Sequence, residues 1–262
     1  MKRAAKVKKG ILAESFGTSH LDTMKKTIEV LERNISQRFP ESCVYRAFTS
    51  NMIVRKLKRT EGMDVDTVRE AVKRMASDGI EYVVVQPTHI INGIENDRMM
   101  EDLMENISLF RRIRVGKPLL SSVDDYKKSI HAVMAETELY DDEMLVLMGH
   151  GTDHHANSAY PTLEYTFHAL GYNQVLIGTV ESFPELKNVM AKLEIAENKK
   201  VALMPFMLGA GDHAKNDMAG DEDSWKSHLE DEGYEVRVIM KGLGEFEGIR
   251  RIFLEHIEEA ME

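Results

Sequence analysis

Two histidines and one glutamate are the residues of this chain best suited to hold a divalent metal: His150, Glu181 and His213. His150 and Glu181 each come shortly after a short apolar run, and His213 lies in the glycine-rich segment 209–217. Imidazole nitrogens and carboxylate oxygens bind divalent metals in proteins, and a neutral imidazole also accepts a proton near neutral pH. The chemistry that this set favours is metal binding coupled to proton removal, without a nucleophile or electron transfer.

Other polar residues in the same segments have simpler interpretations. We expect His154 and His155 to begin a helix, and Asp212 and Asp217 to accept hydrogen bonds rather than to bind metal. The basic segment 56–59 is interpreted as a surface patch, with contacts to substrate carboxylates as the alternative. The glycine-rich segments have neither the Gly-Lys-Ser/Thr of a P-loop nor a GxGxxG pattern, so no nucleotide site of these kinds is predicted.

Short β-branched runs that alternate with amphipathic stretches predict the strands and helices that position these residues. The predicted strands are 7–13, 43–48, 80–86, 144–148, 174–178, 201–204 and 235–240. The predicted helices are 21–39, 65–77, 186–195, 224–232 and 245–261. Strands separated by helices indicate right-handed βαβ units and parallel sheet. Because the carboxyl ends of parallel strands lie at one edge of a sheet, we expect the two histidines and the glutamate to converge there.

Two sequence motifs occur twice, in the same order. Residues 15–20 (SFGTSH) resemble residues 149–154 (GHGTDH), which follow 134 positions later (149 − 15). Residues 87–93 (PTHIING) resemble residues 205–211 (PFMLGAG), which follow 118 positions later (205 − 87). Beyond the second motif, the pattern matches Asn96-Asp97 with Asn216-Asp217.

The repeat predicts two similar α/β halves with parallel sheets and a ligand cleft between them, at the carboxyl ends of the strands. The N-terminal half is predicted to comprise residues 1–120. The C-terminal half, residues 121–262, would carry the metal site. The helix over 245–262 is a candidate to pack on the N-terminal half.

Composition argues against several classes of protein. The net charge of −10 argues against a nucleic-acid binder, which needs a basic face. Cys43 is the only cysteine, which rules out an intrachain disulfide, a cysteine-based zinc site and an iron–sulfur cluster. No apolar run approaches the roughly 18 residues of a membrane span, and the basic start of the chain has no signal-peptide apolar stretch. We therefore expect a cytoplasmic protein with no membrane and no nucleic-acid partner.

Taken together, the motifs resemble a known family, the anaerobic cobalt chelatases of cobalamin biosynthesis, which are the CbiK type of class II chelatase. The matching segments lie in order along nearly the whole chain. They are Ser15-Phe16-Gly17-Thr18, Gln86-Pro87-Thr88-His89-Ile90-Ile91-Asn92-Gly93, Met148-Gly149-His150-Gly151-Thr152, Gly178-Thr179-Val180-Glu181 and residues 204–217.

The resemblance implies a chelatase-like fold of two Rossmann-like halves and a lyase-type enzyme that inserts Co²⁺ into sirohydrochlorin or precorrin-2. It implies a His–Glu–His metal site, which falls on His150, Glu181 and His213, with the histidines as metal ligands and pyrrole proton acceptors. Cobalt enters as a substrate, and no organic cofactor is implied. The tetrapyrrole would lie in the cleft, where the candidate contacts are Ser15, Phe16, Gly17, His89 and Glu95.

The residues leave several alternatives open. Metal affinity at a His/Glu site favours nickel over cobalt and iron, so an iron or nickel chelatase of the same family is an alternative, and cobalt is implied by the family alone. A non-catalytic carrier of a tetrapyrrole or metal would use the same pocket. A His/carboxylate metallohydrolase is less well supported, because the chain has no HExxH motif. The sequence also leaves open whether the chain forms a homo-oligomer, how the ring is posed, and which histidine is the base.

Overall fold

The computed structural model describes residues 7–262 and contains two parallel sheets with the same arrangement of strands. The first sheet contains β1 (Lys9–Ser15), β2 (Ser42–Phe48), β3 (Tyr82–Pro87) and β4 (Arg112–Val115). The second contains β5 (Met144–Gly149), β6 (Val175–Thr179), β7 (Lys200–Pro205) and β8 (Glu235–Val238). Their strand orders, β2-β1-β3-β4 and β6-β5-β7-β8, are the same arrangement, and every pairing is parallel. The predicted α/β fold of two similar halves is confirmed.

Helices connect the strands and cover the sheets. The helices before residue 120 are α1 (Leu21–Lys26), α2 (Ile28–Arg38), α3 (Asn51–Glu61), α4 (Val68–Ser77) and α5 (Ile94–Met104). Those after it are α6 (Val123–Glu136), α7 (Ala159–Ala169), α8 (Leu186–Ala196), α9 (Trp225–Asp231) and α10 (Glu247–Met261). None of the helices within residues 7–262 has both the length and the apolar character needed to cross a membrane. The basic residues 1–6, on which the signal-peptide prediction partly rests, lie outside the described residues.

Backbone hydrogen bonds at the ends of the strands repeat between the halves. Thr88 N donates to Glu14 O at 2.8 Å, and Phe206 N donates to Met148 O at 2.8 Å. These bonds join equivalent strands and keep both offsets that the motifs give, 134 (148 − 14) and 118 (206 − 88). The predicted duplication is therefore present in the backbone itself.

One detail of the predicted repeat is wrong by two positions, the match of Asp97 with Asp217. Asp97 N donates to Gly93 O at 3.1 Å at the start of α5, and Lys215 N donates to Gly211 O at 3.0 Å. The offset of 118 (215 − 97) therefore continues past the glycines and pairs Asp97 with Lys215. The second half forms a π-helical turn here instead of a regular helix, so similar residue types fall at different positions.

A shared apolar core joins the halves. One cluster of buried residues includes Ile11 and Val84 of the first sheet together with Leu145 and Met204 of the second. The C-terminal helix α10 packs against β3, β4 and α2, and also against α6. The division of the chain between residues 120 and 121 stays a prediction.

The helices α3, α5 and α6 were not predicted from the sequence, only the start of α7 was, and three further elements also differ from the prediction. The helix over 21–39 is two helices, because the backbone breaks at Thr27 (φ −118°, ψ −79°), whose hydroxyl bonds back to Thr23 O at 2.7 Å. The helix over 65–77 begins at Val68, because Thr67 and Glu70 form a capping box. The edge strand β4 was not predicted, because its RIRV sequence offers only two apolar residues between arginines.

Candidate metal site

His150, Glu181 and His213 lie together at the carboxyl edge of the second sheet. They follow β5, β6 and β7, which are three adjacent strands of that sheet. One nitrogen or carboxylate oxygen of each residue lies within 4.8 Å of those of the other two. Ligand atoms around a single ion at about 2.0–2.2 Å stand at most about 4.4 Å apart, so a small side-chain movement would bring all three onto one metal.

The His150 ring is oriented by its own backbone and by the glutamate. Its Nδ1 lies 2.9 Å from Gly151 O and 3.5 Å from a carboxylate oxygen of Glu181. A carbonyl oxygen only accepts hydrogen bonds, so the proton resides on Nδ1 and the lone pair of Nε2 remains for a metal. The His150 and Glu181 side chains are 40% and 53% exposed, which leaves the site open to a large ligand.

The His213 ring is held by a carboxylate. Its Nδ1 lies 2.7 Å from Asp217 Oδ2, four residues later in the π-helical turn Ala214–Met218. Nδ1 donates to this carboxylate, which leaves the lone pair of Nε2 free. The His150 and His213 rings meet edge to face, with their centroids 4.6 Å apart. A carboxylate that orients an imidazole is the usual surrounding of a metal-binding histidine.

Gly151 allows the loop after β5 to pass close to the loop after β6. Its φ of +85° lies in the left-handed region, and a Cβ there would stand 2.8 Å from Thr179 Oγ1 and 2.9 Å from Ser182 N. Below the loop, Tyr160 is buried, which raises the pKa of its hydroxyl to about 12, while bonds to the backbone of residues 150 and 151 lower it. Tight packing on both sides therefore fixes the peptide that carries His150.

Two histidine–aspartate contacts join the halves on either side of this site. His20 Nε2 lies 2.7 Å from Asp212 Oδ1, and His154 Nε2 lies 3.3 Å from Asp97 Oδ2. The two histidines occupy equivalent positions of the repeat (154 − 20 = 134). Partial burial raises the pKa of Asp212, but the hydrogen bond from His20 and the nearby positive charges together outweigh it, and the pKa lies below its ordinary value. The carboxyl edges of both sheets therefore face a common cleft.

The contacts of the neighbouring histidines and aspartates agree with the roles expected from the sequence, a helix start and hydrogen-bond acceptors. His154 Nδ1 accepts a hydrogen bond from Ala156 N at the start of the 3₁₀ turn His155–Ser158. Asp212 and Asp217 accept hydrogen bonds, although from histidine rings and not from the backbone. The sequence did not predict that Asp217 would orient His213, but the spacing of four residues is a signal that could have indicated it.

Three of the candidate ring contacts lie at the end of β1. The Ser15 side chain is buried, and its hydroxyl shares a hydrogen bond of 2.8 Å with Thr88 Oγ1. Phe16 is 42% exposed. Gly17 has a φ of +94°, and a Cβ there would meet the Phe48 ring. Phe16 is therefore the member of this segment that the structure presents to a ligand, and a ring-binding role for all three stays a prediction.

The other two candidate contacts, His89 and Glu95, lie beyond β3. His89 is nearly buried, and its Nε2 lies 3.3 Å from Oε1 of the fully buried Glu14. Glu95 is partly exposed and bonds Arg98 Nη1 at 2.6 Å. Burial lowers the pKa of His89, but the charges of Glu14 and Glu95 outweigh it and the pKa lies above its ordinary value. Glu14 was not predicted as a site residue, because a glutamate at a strand end is usually exposed.

From residue 7 onward, the first half does not repeat the metal site. Its residues equivalent to His150 and His213 are Phe16 (150 − 134) and Glu95 (213 − 118). Ser50 corresponds to Glu181, because Ser50 N donates to the carbonyl of residue 16 and Glu181 N to that of residue 150. A phenylalanine, a serine and a glutamate make a poor set of ligands for a transition metal. The duplicated fold thus holds the candidate set of metal ligands in one half.

The sequence of this chain matches the profile of the family described as cobalt chelatase (CbiK) over residues 9–262. The chain belongs to the cobalt chelatase (CbiK) family. Sirohydrochlorin cobaltochelatase of Salmonella typhimurium is 40% identical over 257 residues, which span 97% of each chain. Sirohydrochlorin cobaltochelatase CbiKC of Nitratidesulfovibrio vulgaris is 34% identical over 259 residues, 97% of this chain and 91% of the relative. The family predicted from the motifs is confirmed.

Solved structures share the fold at low sequence identity. SirB from Bacillus subtilis, determined with Fe³⁺, has a TM-score of 0.67 at 15% identity, with 97% of this chain and 95% of that chain covered. CbiX, the terminal enzyme for biosynthesis of siroheme in denitrifying bacteria, has a TM-score of 0.60 at 16% identity, with coverages of 97% and 100%. These structural similarities show that the chain has a chelatase-like fold.

Proposed function

We propose that this chain inserts Co²⁺ into sirohydrochlorin, with His150, Glu181 and His213 as the residues that hold the incoming metal. The observation that carries the proposal is the approach of these three donors to within 4.8 Å at the edge of the cleft. Membership of the cobalt chelatase family and the names of the two relatives support cobalt as the metal and sirohydrochlorin as the ring.

Insertion requires that two pyrrole N–H bonds break while the four ring nitrogens bind cobalt, with no change of oxidation state. The Nε2 atoms of His150 and His213 carry free lone pairs, because Nδ1 of each ring is bonded to a carbonyl or carboxylate. Each Nε2 can hold the metal before transfer and accept a pyrrole proton after the metal has left it. Glu181 supplies negative charge beside His150 and can bind the same metal.

Exposed apolar side chains support a flat conjugated ring as the substrate. Phe16 and Phe183, 42% and 59% exposed, follow β1 and β6, and Ile94, 39% exposed, begins α5. All three lie beyond the carboxyl ends of strands, where open α/β sheets bind ligands. Large apolar side chains that remain exposed beside a cleft are typical of a binding site for an apolar surface.

Two alternatives use the same residues. Nickel or iron could be the physiological metal, because two imidazoles and a carboxylate do not discriminate strongly among these ions. A non-catalytic carrier would bind the ring or metal in the same cleft but would have no need of proton acceptors facing the pyrroles.

The experiment is anaerobic incubation of the purified chain with metal-free sirohydrochlorin and Co²⁺, Ni²⁺ or Fe²⁺, followed by the absorbance of the ring. We expect an initial rate with Co²⁺ far above the rate without protein, and above those with the other two ions in direct competition. A faster reaction with Ni²⁺ or Fe²⁺ would reassign the metal. Tight ring binding with no acceleration for any ion would establish a carrier and contradict the proposal.

A further inference from the structure

A buried carboxylate and a nearly buried imidazole face each other in the first half, away from the metal site. Glu14 is fully buried near the end of β1, and the His89 side chain is 8% exposed just beyond β3. Oε1 of Glu14 and Nε2 of His89 lie 3.3 Å apart. Among residues 7–262, neither carboxylate oxygen and neither ring nitrogen of this pair has a hydrogen-bond partner. Unsatisfied buried polar atoms are uncommon in folded proteins and call for an explanation.

The duplicated half shows that the fold does not require this pair. Leu119 N donates to His89 O at 2.9 Å, and Leu243 N donates to Met207 O at 2.8 Å, so these carbonyls are equivalent. His89 therefore corresponds to Met207 (89 + 118), as Glu14 corresponds to Met148 (14 + 134).

Met148 and Met207 pack in one apolar cluster of the second half. The same backbone thus accommodates two methionines where the first half has a glutamate and a histidine. Replacing a buried ion pair by apolar side chains of similar size is often neutral or stabilising. The polar pair is therefore better explained by a chemical role than by packing.

The position of the pair connects it to the cleft. Leu12 lies on the same face of β1 as Glu14, and it packs in a cluster with Met99 and Leu103 of α5. Glu14 therefore lies on the face of the sheet that α5 covers. Glu95, in the first turn of α5, is partly exposed, and its charge contributes to the raised pKa of His89. Three ionisable groups thus extend from the cleft edge into the interior.

We propose that Glu14 and His89 form a proton relay that, through Glu95, carries pyrrole protons away from the ring on the side opposite the metal site. This inference rests on the proposed function. Glu95 occupies in the first half the position that His213 occupies in the second (95 + 118), so the two edges of the cleft would supply a proton acceptor and a metal ligand at matching places.

The transfer balances without any further reactant. A pyrrole N–H bond breaks, its electron pair binds cobalt, and the proton passes to the Glu95 carboxylate. The proton then moves to one ring nitrogen of His89, whose positive charge Glu14 offsets, and it returns to water through the partly exposed Glu95. Two protons are released for each Co²⁺ that enters, so the charge of the ring is unchanged.

The experiment transplants the residues of the second half into the first as the double variant Glu14→Met/His89→Met. We expect a thermal midpoint at or above that of the unmodified chain and unchanged Co²⁺ binding in the absence of ring, read from the d–d absorbance. We expect insertion to slow by about 10²-fold, the lower end of general acid–base contributions, and the limb of the pH–rate profile that belongs to His89 to disappear. The matched control is Asp125→Met/His256→Met, which removes another buried histidine–carboxylate pair, with 2.9 Å between Nε2 and Oδ1, and should leave the insertion rate and its pH profile unchanged in the folded protein.

Each outcome decides the matter. If Glu14→Met/His89→Met has the same insertion rate and pH profile as the unmodified chain, the relay alone is overturned. If the unmodified chain does not insert the metal, the proposed function is overturned and the relay with it. If the double variant does not fold, Glu14→Gln provides the same readouts with the side-chain volume kept. In that variant the pKa of His89, followed by NMR of its ring, should fall and the rate should drop, while an unmodified rate and profile would overturn the relay.

Discussion

Asp217 accepts a hydrogen bond of 2.7 Å from Nδ1 of His213. Of the candidate ligands within the described chain, His213 is the only one whose ring a carboxylate holds at that distance. The bond fixes which ring nitrogen carries the proton and holds the ring edge to face with that of His150. A carboxylate in this place also holds the imidazole in the orientation that metal binding needs. The activity of His213 should therefore depend on Asp217.

Replacing Asp217 by asparagine keeps the size of the side chain and removes its charge. We expect Asp217→Asn to lower Co²⁺ affinity or the insertion rate by about 10–100-fold, as is typical of residues that orient a metal ligand. Asp223→Asn is the control, because Asp223 also pairs with a histidine ring, with 3.0 Å between its Oδ1 and Nε2 of the exposed His228. Initial insertion rates and Co²⁺ titrations of both variants check the prediction, which fails if the two variants behave alike.

Removal of the His213 ring should abolish most insertion activity and leave the fold intact. His213 lies in a glycine-rich loop with a side chain 35% exposed, so His213→Ala costs little packing. We expect the initial rate to fall by about 10²–10⁴-fold from loss of the base alone, with an unchanged thermal midpoint. Partial recovery at high Co²⁺ would assign ligation as its main role. His228→Ala, on an exposed ring, is the control, and a near-normal rate for His213→Ala would contradict the assignment.

A methyl group at Gly151 tests whether the position of the loop matters. Gly151→Ala introduces a Cβ 2.8 Å from Thr179 Oγ1 and forces the loop with His150 away from the one with Glu181. Gly171→Ala is matched, because its φ of +91° imposes similar backbone strain, about 1 kcal/mol, but no described atom lies within 4 Å of the new Cβ. We expect both variants to lose stability in urea unfolding and Gly151→Ala alone to lose insertion. Equal insertion rates in the two would show that the spacing of the loops is unimportant.

The contact between Glu14 and His89 should stabilise the folded protein by an amount that depends on pH. The pKa of His89 is raised in the folded protein, so its contribution is complete below the unfolded pKa of about 6.5 and is lost as the pH rises through the folded pKa. The free energy of unfolding of the unmodified chain, relative to Glu14→Met/His89→Met, should therefore decrease from pH 6 to pH 9. Urea unfolding across this range measures the difference. A constant difference would show that His89 does not titrate in the folded state.

Much of the frame could be predicted from the sequence, because each buried strand is a short apolar run and four of these strands are followed by a motif that recurs. The parallel arrangement of the strands placed His150, Glu181 and His213 at one edge of a sheet. The edge strand β4 was not predicted, because an exposed edge strand needs few apolar residues. The break at Thr27 was not predicted, because the apolar period continues across it and only a local hydroxyl-to-carbonyl bond ends the first helix.

The polar contacts around the site were harder to predict, because they join residues far apart in sequence. Nothing near His20 in the sequence indicates Asp212, which lies 192 positions later. Glu14 could have been noticed only by setting the two halves side by side, since its equivalent is the buried Met148. Sequence periodicity predicts which face of an element is buried, but a buried charge violates that pattern and needs its tertiary partner to be interpreted.

We propose that His150, Glu181 and His213, from three adjacent strands, act together to insert cobalt. The most direct test is the initial rate of Co²⁺ insertion into sirohydrochlorin, followed by absorbance, for the unmodified chain and for the triple variant His150→Ala/Glu181→Ala/His213→Ala. We expect rapid conversion by the unmodified chain and, for a triple variant with the same thermal midpoint, a rate close to that without protein. A triple variant that converts the ring as fast as the unmodified chain would show that these residues do not insert the metal.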